Sequence, residues 1–250
     1  MNLVHRRLNL EAKLAMFRVK GVLFDYGHTL VYFPNVRKTH LAAAKNVQRI
    51  LRRLGFSVST SRIQTLVGHY AHEAGSTAMN MEGEFTEILR TLRVRQCSPH
   101  QLQEIIQAHW RPYIQKACVR KGVKGLLKHL KKKRLKLGIV ANIWSSGMNP
   151  VLERFDLKRF FDTTVASVDV GFKKPDPKIF QMALGRLKLG PEDVIMVGDN
   201  PRTDIQAAHD IGMRTVRLMR GPNRTKPDMV GPDLKIRNFS TLLSFIRGLT

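Results

Sequence analysis

The chain has 250 residues, of which 43% are apolar and 25% are charged. This composition is typical of a folded globular protein and argues against extended disorder. It has two cysteines, Cys97 and Cys118, no secretion signal, and no apolar run of the roughly 18–20 residues that cross a membrane, so we expect reduced thiols in a cytoplasmic protein with no membrane partner. The 43 basic and 19 acidic residues give a formal net charge of +24, which attracts anions.

The first predicted strand occupies residues 19–24. This short apolar run ends in Asp25 and a glycine-containing turn, which indicates a buried strand followed by a loop. Residues 1–15 form a basic N-terminal extension that either folds as an amphipathic helix or has no part in the fold. We place the start of the core domain at about residue 16.

Residues 35–118 have a helical pattern throughout. Apolar and ring-bearing residues recur at three- and four-residue spacing in about four groups, without a strand signal between them. Ser98 followed by Pro99 is a typical start for the last helix. We therefore expect an inserted helical cap. The groups are Leu41, Val47, Ile50, Leu51 and Leu54; Ile63, Leu66, Val67 and Tyr70; Phe85, Ile88, Leu89 and Leu92; and Leu102, Ile105, Ile106, His109 and Trp110.

From residue 119 onward, predicted strands alternate with predicted helices. The strands are at 135–140, 164–168, 194–197 and 215–218, and the helices are at 123–130, 151–155, 177–187, 204–211 and 239–246. Such alternation predicts a parallel sheet with right-handed crossovers. The predicted fold class is therefore α/β, with a doubly wound, Rossmann-like core (residues 16–34 and 119–250) and the α-helical cap (35–118) inserted into it.

Polar side chains follow three of the predicted strands. Asp25, Asn142 and Asp199 each come directly after the carboxyl end of a strand, and Lys174 follows the next strand by a few residues. In open α/β sheets, ligands bind in the crevice at those strand ends. Two carboxylates, a lysine and an amide that converge there suit a divalent metal together with an anion.

Four segments resemble the motifs of the haloacid dehalogenase superfamily. They are VLFDYGHTL at 22–30, LGIVAN at 137–142, GFKKPDPKIF at 171–180, and VGDN at 197–200 with Asp204 beyond it. The resemblance covers roughly residues 19–246. The order and spacing of the four segments are more specific than any one of them. The helical segment lies where many members of the superfamily carry a cap.

The resemblance implies a Mg²⁺-dependent hydrolase. It implies that Asp25 is the nucleophile, which attacks phosphorus to give an aspartyl-phosphate, and that Mg²⁺ and Lys174 keep Asp25 ionised. It implies metal ligation by Asp25, Asp199 and the backbone carbonyl of Gly27, with Asp204 supporting the metal from its helix. Lys174 is also expected to neutralise the phosphoryl group.

The resemblance further implies that Asn142, Lys174 and Thr29 form the phosphate site. Two positions depart from the superfamily pattern. Gly27 stands where phosphatases of the superfamily usually have an acid–base aspartate, a function typically worth about 10²–10⁴-fold in rate. Ala141 stands where a hydroxyl usually binds the phosphate, and one preorganised donor can be worth on the order of 10²-fold.

Three explanations of Gly27 stay open. His28 either replaces the missing acid or is only a turn residue. A substrate with a good leaving group, such as an acyl or aryl phosphate, needs little protonation. Alternatively, the protein is a weak or inactive enzyme that binds phosphorylated ligands. Dehalogenation is less favoured, because the intact Asp199 and Asp204 indicate a metal that the superfamily's dehalogenases do not use.

We therefore predict a Mg²⁺-dependent phosphatase that acts on a small phosphorylated substrate, with a catalytically inactive phosphate- or metal-binding protein as the alternative. Nucleic-acid association is a weaker alternative, because the basic residues are spread along the chain and no nucleic-acid-binding motif occurs. His69 and His72 have helical spacing, but two imidazoles without a third ligand are a weak metal site, and a polar cap face explains them better. The oligomeric state is not predicted.

Overall fold

The computed structural model describes residues 19–73 and 81–248, without the side chains of residues 69–73. The predicted basic extension at 1–15 and the side chains of His69 and His72 lie outside that description. Within the described part of the chain, no helix is both long enough and apolar enough to cross a membrane.

A six-stranded parallel sheet forms the centre of the fold. The strands of the described residues are β1 Gly21–Phe24, β2 Val31–Tyr32, β3 Cys118–Val119, β4 Lys136–Ala141, β5 Thr163–Ala166, β6 Val194–Gly198, β7 Arg214–Leu218 and β8 Leu234–Ile236. The order in the large sheet is β5–β4–β1–β6–β7–β8, and β2 pairs with β3 in a small antiparallel sheet. The four residues of β1 are all buried, as expected for a central strand that is covered on both faces.

Helices cover both faces of this sheet. All helices of the described residues, in the core and in the cap, are α1 Val36–Arg53, α2 Thr60–Glu73, α3 Met81–Thr91, α4 Pro99–Lys116, α5 Val123–Lys132, α6 Ser145–Arg154, α7 Ser167–Val170, α8 Pro177–Leu187, α9 Ala207–Asp210 and α10 Phe239–Arg247. Short 3₁₀ turns occupy Lys158–Phe160 and Pro191–Asp193, and the π-helical turn Pro201–Gln206 leads into α9. Helices α5, α6 and α10 share one buried cluster with the sheet, whereas α8 and α9 share another. The predicted doubly wound α/β core is confirmed.

Helices α1–α4 bury a further hydrophobic cluster, which Trp144 and Val168 of the core also join. The predicted helical cap is therefore confirmed. The last cap helix begins where the sequence predicts. Ser98 Oγ accepts a hydrogen bond from the Gln101 N–H at 3.2 Å, and Gln101 Oε1 accepts one from the Ser98 N–H at 2.8 Å, which satisfies two donors at the helix start. The cap meets the core through Trp110 of α4 and Trp144 at the start of α6, whose ring centroids are 5.3 Å apart.

Several predicted elements differ in extent from the observed ones. Strands β2, β3 and β8 are absent from the prediction, because two or three residues are too few for a periodic signal. The strand predicted at 164–168 ends at Ala166, since Ser167 already begins α7. The helix predicted at 151–155 begins at Ser145, in a small and polar stretch without apolar periodicity.

The helix predicted at 204–211 also starts earlier than expected. Asn200 Oδ1 accepts hydrogen bonds from the N–H groups of Arg202 and Thr203, and Pro201 occupies the first position. A side-chain cap followed by proline is a strong start signal. The π-helical turn that results places Asp204 beside the end of β6, where it belongs to the site described next.

Candidate active site

Three carboxylates meet at the carboxyl edge of the sheet. Asp25 follows β1 and Asp199 follows β6, and these strands are neighbours, so their ends lie side by side. Asp204 reaches the same point from the π-helical turn. Carboxylate oxygens of the three residues lie within 4.8 Å of one another, and each residue is at most 8% exposed. We call this group the carboxylate cluster.

Lys174 lies between two of these carboxylates. Its Nζ donates hydrogen bonds to Oδ1 of Asp25 and to Oδ1 of Asp204, both at 2.7 Å. Burial alone would lower the pKa of Lys174, but the negative charges of Asp204 and Asp25 outweigh it and hold that pKa above its usual value. Lys174 is therefore a fixed, buried cation inside an otherwise negative site.

Asn142 holds Lys174 in place. Its Oδ1 accepts a hydrogen bond from the backbone N–H of Lys174 at 2.8 Å, and its Nδ2 donates one to the Lys174 carbonyl at 2.9 Å. The sequence predicts that this amide bonds the phosphate, whereas in the structure both ends of the amide contact the Lys174 backbone. The reason is local: the end of β4 and the loop that carries Lys174 lie directly opposite each other. Direct phosphate binding by Asn142 stays a prediction.

The carboxylate cluster carries more negative charge than its own lysine balances. Burial raises the pKa of Asp25 to about 6, against the opposing charge of Lys174 and with added repulsion from Asp204. Burial, with repulsion from Asp25 and Asp204, raises the pKa of Asp199 to about 7. Three ionised carboxylates and one ammonium leave two negative charges in a buried place, and such a site favours a further cation.

The loop after β1 is closed on itself by the carbonyl of Tyr26. That carbonyl accepts hydrogen bonds from the N–H groups of Leu30 and Val31, both at 3.0 Å. The buried Thr29 hydroxyl helps to lower the pKa of Asp25, although it makes no hydrogen bond of standard geometry to the described residues. The loop therefore wraps the residues at 27–29 around the nucleophile position.

Asp204 is held by a close approach to Gly198. A Cβ on Gly198 would lie 2.4 Å from the Cβ of Asp204, so only glycine fits at this position. The Asp204 Oδ2 accepts a hydrogen bond from the Asn200 N–H at 3.0 Å. Both oxygens of Asp204 are therefore engaged, one with this amide and one with Lys174.

The carboxylate cluster opens into a cavity of about 250 Å³. Gly27 and Ala141, the two residues that depart from the superfamily pattern, both line it. A Cβ on Gly27 would meet nothing within 4 Å, and its φ lies outside the left-handed region. The position that lacks an acid therefore has room for one.

The described residues fit a divalent metal. Asp25 and Asp199 offer carboxylate oxygens, and Gly27 lines the same cavity. No hydrogen bond within the described ranges uses the Gly27 carbonyl. Hard oxygen donors with an unbalanced negative charge are what Mg²⁺ prefers. Asp204 completes the acidic group, although its oxygens already serve Lys174 and Asn200.

A sequence model of one protein family matches most of the chain. The model of the haloacid dehalogenase-like hydrolases matches residues 22–218. The chain belongs to this family. A glyceraldehyde 3-phosphate phosphatase of Pyrococcus furiosus is 32% identical to it over 211 residues, which are 82% of this chain and 83% of that protein. A phosphoglycolate phosphatase of Pectobacterium atrosepticum is 25% identical over 229 residues, 91% of this chain and 92% of that protein.

Solved structures support the same fold. The crystal structure of a 2-haloacid dehalogenase from Pseudomonas syringae matches with a TM-score of 0.71 and 22% identity, and covers 93% of this chain and 100% of that one. At this identity the likeness shows the fold alone. Because the fold carries both phosphatases and dehalogenases, the reaction has to be argued from the residues of the site.

His28 does not line the cavity of this haloacid dehalogenase-like hydrolase. It adopts a left-handed conformation with φ of 60°. Burial and the charge of Arg120 lower the pKa of its imidazole. In the structure His28 is a turn residue, so the substitute-acid interpretation gains no support from its placement.

Arg120 is a positioning residue that the sequence pattern does not reveal. From the segment after β3, its guanidinium donates to the carbonyl of Thr29 at 3.2 Å and also to the carbonyl of His28. Its charge is 5.3 Å from the ring centroid of Tyr32. Arg120 therefore fixes the loop that follows Asp25, and the only sequence signal is a basic residue just after the cap.

A second unpredicted group holds Asp199. Asn223 Nδ2 donates to Asp199 Oδ2 at 3.0 Å. The buried Arg217 of β7 in turn donates to the carbonyls of Asn223 and Lys226, at 2.7 and 2.8 Å, and pairs with Asp228. The loop that carries Asn223 is thus clamped to the sheet. Its Gly-Pro-Asn turn, directly after a strand, is the signal that could have pointed to it.

Proposed function

We propose that this protein is a Mg²⁺-dependent phosphomonoester hydrolase that acts through an aspartyl-phosphate on Asp25. The observation that carries the proposal is the carboxylate cluster, with Lys174 bonded between Asp25 and Asp204 at 2.7 Å. Two relatives that match more than 80% of this chain are named as phosphatases. Asp199 and Asp204 beside Asp25 form a group that suits a metal, which favours metal-assisted phosphoryl transfer over metal-free dehalogenation.

In the first half-reaction, a carboxylate oxygen of Asp25 attacks phosphorus. The new Oδ–P bond forms as the P–O bond to the leaving group breaks, and the electron pair leaves with that oxygen. Lys174 holds Asp25 in the ionised form and balances the charge of the phosphoryl oxygens. Since Gly27 supplies no proton, the leaving oxygen departs as an anion or takes a proton from solvent.

In the second half-reaction, water attacks phosphorus and the P–O bond to Asp25 breaks. Inorganic phosphate is released and the Asp25 carboxylate is restored. Thr29, Asn142 and Lys174 are the proposed phosphate-binding residues, with Asn142 acting at least through the Lys174 backbone that it holds. Ala141 supplies no hydroxyl to this site.

Mg²⁺ would be held by Asp25, Asp199 and the Gly27 carbonyl, with Asp204 at its side. When bound, it would neutralise the charge on the phosphoryl oxygens and lower the repulsion between substrate and carboxylates. Asn223 keeps Asp199 oriented toward this position through the 3.0 Å hydrogen bond. The substrate is a small phosphorylated molecule. Cytoplasmic location and nucleic-acid association remain predictions from the sequence alone.

A panel of phosphate monoesters and acetyl phosphate, assayed with Mg²⁺ and with EDTA, tests the proposal. Asp25→Asn is the blank, since it keeps the size of the side chain and removes the nucleophile. We expect Mg²⁺-dependent phosphate release that is lost in Asp25→Asn. Turnover that persists in this variant would reject Asp25 as the nucleophile, and the absence of turnover on every compound would favour the inactive binding protein.

A further inference from the structure

A second cavity, which we call the aromatic chamber, adjoins the cavity into which the carboxylate cluster opens, called below the cavity above Asp25. It has a volume of about 270 Å³. It shares Phe33, Asn142 and Ile143 with the cavity above Asp25. Its other walls come from rings of the cap helix α4, from the start of α6, and from residues of α1 and α2. The rings that matter here are Phe33, His109, Trp110, Tyr113 and Trp144.

These rings form one connected network. The centroid of Tyr113 lies 5.8 Å from Phe33, 5.3 Å from His109 and 5.2 Å from Trp110, and Trp110 lies 5.3 Å from Trp144. Ring pairs at these distances stabilise each other in fixed orientations. The chamber is therefore a preformed apolar site for a flat group, directly beside the proposed phosphoryl site.

Two buried polar atoms of the chamber rings have no hydrogen-bond partner in the part of the chain that the structure describes. His109 Nδ1 and Trp144 Nε1 make no hydrogen bond to any described residue, and the two residues are only 4% and 8% exposed. Buried polar groups in folded proteins are nearly always hydrogen-bonded, so an orphan of this kind indicates a missing partner. Both atoms are themselves shielded from the open space of the chamber, so a ligand atom would reach them only if the rings moved.

The described lining residues of the chamber carry no charge of their own. Neither lysine nor arginine is among its described lining residues, although the whole chain has a net charge of +24. Burial lowers the pKa of both His40 and His109, so both rings are neutral near pH 7. A leaving group that carries a carboxylate or a second phosphate would lose its hydration there without gaining a cation.

The cavity above Asp25 also lacks a proton donor at Gly27. An ester oxygen that must leave unprotonated leaves more readily as the anion of a stronger acid. A phenolic hydroxyl has a pKa of about 10, whereas the value for water is about 15.7. An aryl oxide therefore departs without help where an alkoxide does not.

We propose that the aromatic chamber holds the leaving group, and that the substrates are phosphate monoesters of an uncharged aromatic alcohol. This inference rests on the proposed phosphatase function. In the reaction, the P–O(aryl) bond breaks as the bond from Asp25 to phosphorus forms. The ring stays in the chamber, whereas the aryl oxide oxygen, at the phosphoryl site, leaves with the electron pair and is protonated there by water.

Relative rates on four phosphate compounds test the inference. They are 1-naphthyl phosphate, cyclohexylmethyl phosphate, phosphoglycolate and acetyl phosphate, each with Mg²⁺. We expect kcat/KM for the naphthyl ester to exceed that for the cyclohexylmethyl ester by on the order of 10²-fold, the effect of one missing acid. Phosphoglycolate should be slower still. Equal or faster turnover of phosphoglycolate would overturn the inference, whereas no turnover of any compound, acetyl phosphate included, would reject the phosphatase function itself.

Variants separate the chamber from the phosphoryl site. Phe33→Ala removes a half-buried ring shared by both cavities, and Phe56→Ala removes a half-buried cap ring that lines neither. We expect Phe33→Ala to lower kcat/KM for 1-naphthyl phosphate about tenfold more than it lowers kcat/KM for acetyl phosphate. Phe56→Ala should change neither rate. An equal loss on both substrates in Phe33→Ala, or no loss on the aryl ester, would contradict the chamber's role.

A binding measurement on the unaltered chain does not depend on turnover. The chain has two tryptophans, and both line the chamber. We expect phenol to change the tryptophan fluorescence saturably and glycolate to leave it unchanged. If phenol has no effect, the chamber is not a site for aromatic groups, even if the protein proves to be a phosphatase.

Discussion

Replacing Gly27 with aspartate should restore the acid that this site lacks. Gly27 lines the cavity above Asp25 and lies two residues after Asp25 in the sequence. A Cβ there meets nothing within 4 Å and the φ angle suits any residue, so the loop can accept the side chain without rearrangement. The new carboxyl would face the oxygen that leaves phosphorus.

The expected gain depends on the substrate. General acid–base catalysis is typically worth about 10²–10⁴-fold, and we expect the lower end, about 10²-fold, for an alkyl phosphate. An aryl phosphate needs little protonation, so its rate should change much less. The difference between the two substrates should therefore shrink in Gly27→Asp.

The assay is kcat/KM for cyclohexylmethyl phosphate and 1-naphthyl phosphate across pH. Gly27→Asn is the matched control, since it has the same shape and no titratable proton. The alkyl rate of Gly27→Asp should acquire a pH dependence that Gly27→Asn lacks. If the two variants show the same alkyl rate, the missing acid does not limit this enzyme and the reasoning about Gly27 is wrong.

Three further outcomes follow from the site and its neighbours. Mg²⁺ at 100-fold above its Kd should stabilise the protein by about 3 kcal/mol, measured as a rise in the melting temperature. Asp199→Asn should lose most of that rise. An undiminished rise in this variant would place the metal elsewhere. Gly198→Ala should lower the free energy of unfolding by about 1–3 kcal/mol, because it forces a Cβ to within 2.4 Å of Asp204. The control Gly185→Ala lies in open space on α8 and should raise that free energy by up to about 1 kcal/mol. Urea unfolding midpoints compare the two variants, and an unchanged midpoint in Gly198→Ala would disprove the close approach. Burial lowers the pKa of His109 to about 3 from 6.5. At pH values between these two, the unfolded chain binds a proton at His109 that the folded chain does not bind. The contribution of His109 to stability is therefore complete above pH 6.5 and is lost as the pH falls toward 3. Between pH 7 and pH 5 the wild type should therefore lose about 2 kcal/mol more than His109→Gln in urea unfolding, and equal losses would show that His109 is not held neutral.

The fold and the centre of the site could be predicted because their signals are local in the sequence. Apolar runs that end in Asp25, Asn142 and Asp199 fix which strand ends carry polar groups, and a parallel sheet brings such ends to one edge. The motif spacing adds Lys174 and Asp204. Their convergence within hydrogen-bonding distance follows from the order of the strands.

The supporting residues could not be predicted, because their partners are distant in sequence. Arg120 bonds carbonyls about 90 residues earlier in the chain, and an arginine that bonds backbone leaves no pattern. Asn142 shows the same limit: its type and place predict a phosphate ligand, which stays a prediction, but nothing local in the sequence indicates that its amide is bonded to the Lys174 backbone 32 residues away. The aromatic chamber likewise joins Phe33 to α4 and α6, and only the packed cap brings them together.

Mapping the phosphoryl group after a single turnover tests the central claim most directly. The protein is mixed with Mg²⁺ and either acetyl phosphate or 1-naphthyl phosphate, and the reaction is quenched in acid. The protein is then digested, and the masses of its peptides are measured by mass spectrometry. We expect one phosphoryl group on the peptide that contains Asp25, dependent on Mg²⁺ and removed by hydroxylamine, as for an acyl phosphate. Steady release of phosphate with the label on another residue, or with Asp25→Asn as active as the wild type, would contradict the account.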